Sequence, residues 1–164
     1  MKTFGRGLLV LSALLAAGGP TAAGSKPDGT ANFARANYFA AAVRARPLAE
    51  RGNPQAQALL GFMYEYGRGV PQDYTTAVYW YRCAAEQDYS TAQYLLGLMY
   101  EKGLGVERSD TLAYAWLNLA AAHAPPPAKE YYTRIRNTIA AKLTAVQIAN
   151  AQWLALRFIP SARR

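Results

Sequence analysis

The sequence contains few of the residues from which reactive centres are built. Its 164 residues include one cysteine, Cys83, and one histidine, His123. A single cysteine excludes an intramolecular disulfide, and one histidine without a cysteine cluster does not supply the several converging ligands that a metal site needs. We therefore predict no metal, no cofactor, no catalytic residues and no enzyme activity.

Runs of β-branched residues are also nearly absent, whereas alanine, leucine and tyrosine are abundant. This bias favours helix over strand. Hydrophobic residues make up 52% of the chain, which is enough for a packed core. Its 13 glycines and 9 prolines are too scattered for a disordered or fibrous protein. The composition predicts one all-helical domain.

The N-terminal apolar run, residues 8–17, is too short to span a bilayer hydrocarbon layer of about 30 Å. Lys2 and Arg6 precede it, and small residues that offer a cleavage site after Ala23 follow it. This pattern is typical of a secretory signal peptide over residues 1–23, with an uncleaved interfacial anchor as the alternative. We expect a periplasmic or secreted protein with no transmembrane segment after cleavage.

An offset of 36 residues brings two segments into register without a gap. Residues 53–88 and 89–124 are identical at 16 of the 36 aligned positions. Residues 37–52 form a preceding half unit, which matches the second half of a repeat at pairs such as Tyr38 and Tyr74. Because one such unit cannot bury its own apolar face, the units are predicted to stack as a helical solenoid.

The pattern within each repeat predicts two antiparallel helices joined by a glycine turn. Gly67 and Gly69 follow the first apolar helix and supply the positive φ angles that end it. Asp73, like its counterpart in the second repeat, is a predicted cap of the next helix. Gly61 and Gly97 lie in mid-helix, where glycine costs about 1 kcal/mol relative to alanine. Their recurrence predicts a close approach of two helices.

The two ends of the solenoid are predicted to be covered by further helices. Residues 24–36 are expected to be a linker and residues 37–52 a cap helix. The three prolines at 125–127 end the last repeat helix, and two more helices follow in a basic cap over residues 125–164. The whole chain is predicted to contain about seven helices.

The motif A-x-x-x-L-G-x-x-Y-x-x-G-x-G-V occurs at residues 56–70 and again at 92–106, and A-x-x-W-(Y/L)-x-x-A-A occurs at 77–85 and 113–121. These motifs resemble the Sel-one-like repeat, a 36-residue relative of the tetratricopeptide repeat. The resemblance covers about residues 38–124. It implies a right-handed α/α superhelix and a scaffold or adaptor that binds another protein or a peptide.

The resemblance also implies a binding surface, because first helices line the concave groove of such arrays. Packing of Phe62 and Leu98 against the next repeat is the alternative for those two positions. We interpret Glu65 and Glu101 as solvated or partner-facing carboxylates, since neighbouring helices lie about 8–10 Å apart and nothing else builds an acid–base site between them. The predicted concave positions are Gln55, Ala58, Phe62, Glu65 and Tyr66 in the first repeat and Thr91, Tyr94, Leu98, Glu101 and Lys102 in the second.

Positive charge is concentrated at the C-terminus, where residues 125–164 contain seven basic residues and one acidic residue. Such a cap could attract an anionic lipid surface, an acidic protein or a cell-wall polymer; solvated helix faces are the alternative. Nucleic acid is not expected as a partner of an exported chain. The predicted basic residues are Lys129, Arg134, Arg136, Lys142, Arg157, Arg163 and Arg164.

The remaining candidates for chemistry are weak. Cys83 lies between Trp80 and Ala84 on an apolar helix and is predicted to be a small buried hydrophobe. The glycine turns follow a helix and lack the Lys-Ser/Thr of a phosphate loop. Family members that bind or hydrolyse β-lactams or cell-wall material carry a cysteine pair in each repeat, and this chain has none. A cell-wall-active or β-lactam hydrolase is kept as an alternative function.

Overall fold

The structure is a computed structural model that describes residues 27–158, with side chains described from residue 37. Within that range it contains only α-helices and no strand. None of these helices combines the length and apolar content that a membrane span requires. The predicted all-α solenoid is confirmed, while the predicted signal peptide over residues 1–23 lies outside the described residues. The helices are α1 Pro27–Glu50, α2 Pro54–Tyr66, α3 Tyr74–Ala85, α4 Ser90–Lys102, α5 Asp110–His123, α6 Ala128–Ala140 and α7 Ala145–Phe158.

The two repeats fold alike. Their first helices, α2 and α4, each contain 13 residues and end at glycines in the left-handed conformation, Gly67 with φ 63° and Gly103 with φ 70°. Each of these glycines donates its N–H to the carbonyl four residues earlier, which satisfies part of the exposed helix end. The side chains of Asp73 and Ser109 accept hydrogen bonds from backbone N–H groups in the first turns of α3 and α5. The predicted helix ends are therefore confirmed.

The predicted close approach at the mid-helix glycines is also confirmed. A Cβ placed on Gly61 would lie 2.5 Å from Cδ1 of Tyr81, and one on Gly97 would lie 2.8 Å from Cγ of Leu117. Tyr81 and Leu117 lie on the second helix of the same repeat, and both are 0% exposed. The missing side chain thus lets the two helices of each repeat pack in direct contact.

Helix α1 is longer than predicted. It begins at Pro27, so residues 27–36, which lie within the predicted linker, are helical. Proline suits the first helical position because its fixed φ matches a helix and its missing N–H has no intrahelical acceptor there. The alanine-rich sequence that follows continues the helix. Ala42, Ala45 and Ala49 are buried, and α1 packs against α2.

Helices α6 and α7 cover the other end of the stack, but they do not form a hairpin with each other. Both pack on α5, whereas contacts between α6 and α7 are few. The ring of Trp116 on α5 is stacked on that of Phe158 on α7, with 4.3 Å between centroids and 1° between planes. The C-terminal cap therefore departs from the helix pairing of the two repeats.

Candidate binding face

The ten residues predicted for the concave groove lie on α2 and α4, but they differ in exposure. Ala58, Glu65 and Tyr94 are buried, at 3%, 8% and 9% exposure. The expectation that these three meet a partner directly is corrected, because their side chains pack beneath the surface. The other seven keep accessible area, namely Gln55, Phe62, Tyr66, Thr91, Leu98, Glu101 and Lys102.

Glu65 shows the physical reason for this correction. Its Oε2 atom accepts a 2.6 Å hydrogen bond from the hydroxyl of Tyr81 in the interior. Burial, and then the neighbouring Glu65 carboxylate, raise the pKa of Tyr81 well above its ordinary value, so the hydroxyl remains a donor. The same two causes raise the pKa of Tyr66 to about 12. Glu65 is thus an internal acceptor that joins α2 to α3.

Glu101 occupies the same position in the second repeat but has a different environment. Leu117 replaces the tyrosine donor there, and no hydroxyl is available to the carboxylate from that position. The Glu101 side chain is 26% exposed, and its Oε1 atom lies 3.0 Å from Nζ of Lys142. Lys142, one of the predicted basic residues, is therefore already paired within the chain.

Aromatic side chains connect α4 with α6. The rings of Tyr94 and Tyr132 are stacked, with centroids 4.5 Å apart. The hydroxyls of Tyr94 and Tyr131 lie 3.2 Å apart. The guanidinium of Arg134 lies 5.6 Å from the centroid of the Tyr131 ring. This contact brings Arg134, predicted only as part of a basic cap, to the edge of the surface formed by the first helices.

A second aromatic pair lies on α2, where the rings of Phe62 and Tyr66 are 4.7 Å apart. Burial, and then the neighbouring hydroxyl of Tyr131, raise the pKa of Tyr94 above its ordinary value. We call Phe62, Tyr66, Tyr94 and Tyr131 the aromatic strip, and the surface of α2, α4 and α6 that carries it the first-helix face. Tyr66 is its most accessible member, with 51% exposure.

Sequence reasoning missed two buried glutamines that join successive units. Nε2 of Gln57 donates to the carbonyl of Ala49 at 3.0 Å, and Nε2 of Gln93 donates to the carbonyl of Ala85 at 3.1 Å. Each bond adds a donor to a buried carbonyl in the last turn of the preceding helix, where carbonyls lack their usual intrahelical partner. The identity of Gln57 and Gln93 at one register of the repeat is the signal that could have revealed them.

His123 belongs to the same arrangement. The Oε1 atom of Gln57 accepts from Nε2 of Gln87 at 2.7 Å, and Oε1 of Gln93 lies 3.2 Å from Nδ1 of His123. His123 also lies 3.6 Å from a carboxylate oxygen of Asp88. The histidine thus takes the place of Gln87 at the next junction, and its contacts are those of a structural residue.

Another recurring contact shows that α6 continues the repeat register. Arg82 donates to the hydroxyl of Tyr100 at 2.8 Å, and the equivalent pair one repeat earlier is 3.0 Å apart. At the third junction the roles are exchanged, since Arg136 donates to Oδ1 of Asn118 at 3.2 Å. Helix α6 therefore packs like the first helix of a further unit, although its sequence lacks the repeat motif.

The predicted basic residues are spread over α6, α7 and the segment between them, and several are engaged. Two of them, Arg163 and Arg164, lie outside the described residues. The guanidinium of Arg157 lies 4.8 Å from the centroid of the Trp153 ring. The basic residues that are classed as exposed are Lys129, Arg134, Lys142 and Arg157, while Arg136 is half-buried.

Cys83 is only half-buried, which corrects the prediction of a buried hydrophobe. Burial is the largest cause of the raised pKa of the thiol, which disfavours the reactive thiolate. Across residues 37–158, no three His, Cys, Asp or Glu side chains gather in a way that could hold a metal ion.

Comparison with known proteins agrees with this architecture. A family model described as the Sel1 repeat matches residues 54–89 and 90–124. No curated protein matched the chain.

Two solved structures are similar to the chain. The first is c5321, described as a protective antigen present in uropathogenic Escherichia coli strains displaying an SLR fold; it has 38% identity over 71% of this chain and a TM-score of 0.66. This chain spans only 24% of the length of c5321. The second is a Sel1 repeat protein from Oxalobacter formigenes, with 46% identity, a TM-score of 0.51, and coverage of 55% of this chain and 68% of that one. Together with the two repeats of shared geometry, these similarities show that the chain belongs to the Sel1 repeat family.

Proposed function

We propose that this chain is an exported scaffold that binds a segment of another protein on its first-helix face. Sel1 repeats generally mediate protein–protein interactions, and proteins of this family are typically non-enzymatic scaffolds. Export is proposed from the sequence alone, on the basic and apolar pattern of residues 1–23. Binding of a peptide segment is proposed from the surface chemistry of the face.

The observation that carries the proposal is the accessible part of the aromatic strip. Tyr66 is 51% exposed, although its ring already contacts Phe62. An exposed tyrosine held by a helix offers a partner a large contact area and loses little conformational freedom on binding. Leu98 adds half-buried apolar surface on the next first helix. These side chains would contact apolar groups of the bound segment.

Charged groups at the edges of the strip would orient that segment. Lys102 is exposed at the end of α4, and Arg134 lies beside Tyr131 on α6. Both would meet acidic or carbonyl groups of a bound segment, whereas Glu101 is already paired with Lys142. We therefore propose that the preferred segment combines an apolar or aromatic residue with an acidic one.

Selection of peptides from a random display library against the immobilised chain tests the proposal. Selected peptides should bind at least about tenfold more weakly to Tyr66→Ala, because one buried aromatic contact contributes about 1.4 kcal/mol or more. Tyr79→Ala is the matched control, since Tyr79 is also an exposed tyrosine, at 58%, but lies on the second helix α3. Peptides that bind both variants equally, or no selected peptide at all, would count against the first-helix face.

Export needs its own measurement. We expect the chain to be recovered from the envelope or extracellular fraction of the cell that makes it. N-terminal sequencing should then find Gly24 as the first residue if cleavage follows Ala23. An intact N-terminus in a cytoplasmic fraction would contradict this part of the proposal without affecting the binding face.

A further inference from the structure

Helix α7 uses one side for packing within the chain. Ala151 and Ala155 are buried, at 0% and 3% exposure, and Phe158 is stacked on Trp116 of α5. At 100° per residue these three positions of α7 fall on one side of the helix. This inner side accounts for the attachment of α7 to the solenoid.

The opposite side of α7 carries a second apolar stripe. Val146, Trp153 and Leu156 are 70%, 56% and 63% exposed. They follow one another at seven and three residues, which places them together on the side away from Ala151 and Ala155. A helix needs one apolar side to pack on its neighbour, and within residues 37–158 nothing covers this second one.

Positive charge accompanies the outer stripe. The guanidinium of Arg157 lies over the ring of Trp153, 4.8 Å from its centroid, and residues 145–158 contain no acidic side chain. Residues 125–158 contain five basic residues and one acidic residue, whereas residues 37–124 contain seven basic and eight acidic residues. The exposed apolar stripe thus lies in the one region of the described chain that has a net positive charge.

We propose that the outer side of α7 docks on an anionic lipid bilayer. A helix that presents Trp and Leu beside Arg and lacks acidic residues suits the plane of the interface, where apolar side chains enter the acyl boundary and cations face lipid phosphates. Tryptophan is favoured at this depth because its ring is apolar and its N–H remains hydrogen-bonded. The proposal is independent of peptide binding on the first-helix face.

A second copy of the chain fits the same surface less well. In a symmetric dimer each copy would present the same stripe to the other. That arrangement would bring the two Arg157 residues close together in a region that contains one acidic residue, Glu130, and like charges facing each other oppose association. An anionic surface removes this repulsion and supplies the missing counter-charge.

Binding of the full-length chain to phosphatidylglycerol-containing vesicles tests the proposal. We expect co-sedimentation with these vesicles, weaker sedimentation with purely zwitterionic ones, and a blue shift of tryptophan emission. The shift should disappear in Trp153→Phe, which keeps an aromatic ring but removes the reporter, while sedimentation of that variant persists. This readout comes from α7 itself, so contact of the N-terminal apolar run with the vesicles does not imitate it.

Variants separate the apolar and ionic parts of the contact. Trp153→Ala/Leu156→Ala should reduce vesicle affinity more than about tenfold, because it removes most of the inserted apolar area. Arg157→Gln should reduce it roughly fivefold, since one basic residue near an anionic surface contributes about 1 kcal/mol. Phe39→Ala/Val43→Ala is the control, because it removes two side chains of 61% and 57% exposure from α1 at the other end of the stack.

Four results would overturn the proposal. They are an absence of binding to anionic vesicles, equal binding to zwitterionic vesicles, a stripe variant that binds like wild type, and an emission shift that persists in Trp153→Phe. A lipid-free dimer that dissociates in Trp153→Ala/Leu156→Ala would assign the stripe to a second copy instead. Circular dichroism and thermal unfolding of each variant establish that the fold is retained.

Discussion

The first and second repeats have first helices of the same length, the same glycine turns and identical residues at 16 of 36 positions, but their shared glutamate has two different environments. Glu65 is buried against the hydroxyl of Tyr81, while Glu101 is partly exposed and paired with Lys142. The backbone position is equivalent, so the difference comes from the residue on the facing helix, Tyr81 in one case and Leu117 in the other. A repeat motif therefore fixes where a side chain begins but not what it contacts.

The largest effect is expected where the two helices of a repeat pack in direct contact at a mid-helix glycine. Gly61→Ala should lower the free energy of unfolding by about 2–3 kcal/mol, because the new methyl group meets the buried ring of Tyr81 and displaces its hydroxyl from Glu65. Gly97→Ala should also destabilise the chain, by about 1–2 kcal/mol, because its methyl group would lie 2.8 Å from Cγ of the buried Leu117 and 3.2 Å from the backbone oxygen of Ala113, but it displaces no buried hydrogen bond. Urea unfolding of both variants measures the difference. Stabilisation by Gly61→Ala, as helix propensity alone predicts, would contradict the close packing.

Removal of the Tyr81 hydroxyl tests directly how much its hydrogen bond to the buried Glu65 contributes to stability. Tyr81→Phe should lower the free energy of unfolding by about 2 kcal/mol, since it leaves the buried Glu65 carboxylate without the donor seen in the structure. Tyr79→Phe, at an exposed position of the same helix, should change it by no more than about 0.5 kcal/mol. Chemical unfolding at neutral pH compares the two. Equal effects would mean that the Tyr81 hydroxyl makes no special contribution.

Alkaline pH should weaken the first repeat through its tyrosines. Tyr66 is half-exposed, and partial desolvation of its hydroxyl, followed by the neighbouring Glu65 carboxylate, raises its pKa from 10.0 to about 12 in the folded chain. Above pH 10 the unfolded chain loses this proton while the folded chain keeps it, so the free energy of unfolding falls between pH 10 and 12. Tyr66→Phe should make this fall smaller, as measured by urea midpoints at pH 9 and pH 11.5. An unchanged dependence on pH would exclude a contribution from Tyr66.

The smallest effect is expected for Glu101, the partly exposed glutamate of the second repeat. Glu101→Gln should lower the free energy of unfolding by only about 0.5 kcal/mol, because its pair with Lys142 is partly solvated. The effect should shrink further in 1 M salt, where ionic interactions are screened. Unfolding at low and high salt measures this dependence. A salt-independent loss of about 2 kcal/mol would place Glu101 in the same class as Glu65.

Much of the fold could be predicted because it depends on local and periodic signals. Gly67, Gly103 and Asp73 act through their own backbone or the adjacent turn, so their roles follow from residue type and position. The start of α1 was not predicted, because Pro27 occupies the first position of the helix, where proline begins a helix instead of interrupting it. The ends of a helix are harder to predict from the sequence than its apolar period, because capping and packing both influence where the helix stops.

The candidate binding face was predicted less completely. The predicted residues do lie on the two first helices, α2 and α4, but Ala58, Glu65 and Tyr94 are buried, and Arg134 lies beside Tyr131 at the edge of this surface. The register of a repeat determines which side of a helix a residue occupies, whereas exposure also depends on the size of every neighbour. The stacking of Tyr94 on Tyr132 could not be predicted, because α6 has no sequence match to the repeat that would reveal its register.

The sequence by itself determined that this chain forms paired helices with a 36-residue period, since apolar spacing, glycine turns and N-caps act over a few residues and recur. Only the tertiary structure decided that Glu65 is internal and Glu101 is not, and that α7 packs on α5 and leaves Val146, Trp153 and Leu156 exposed. The physical reason is that burial and hydrogen bonding are properties of pairs of side chains far apart in sequence, which become neighbours only when the helices stack.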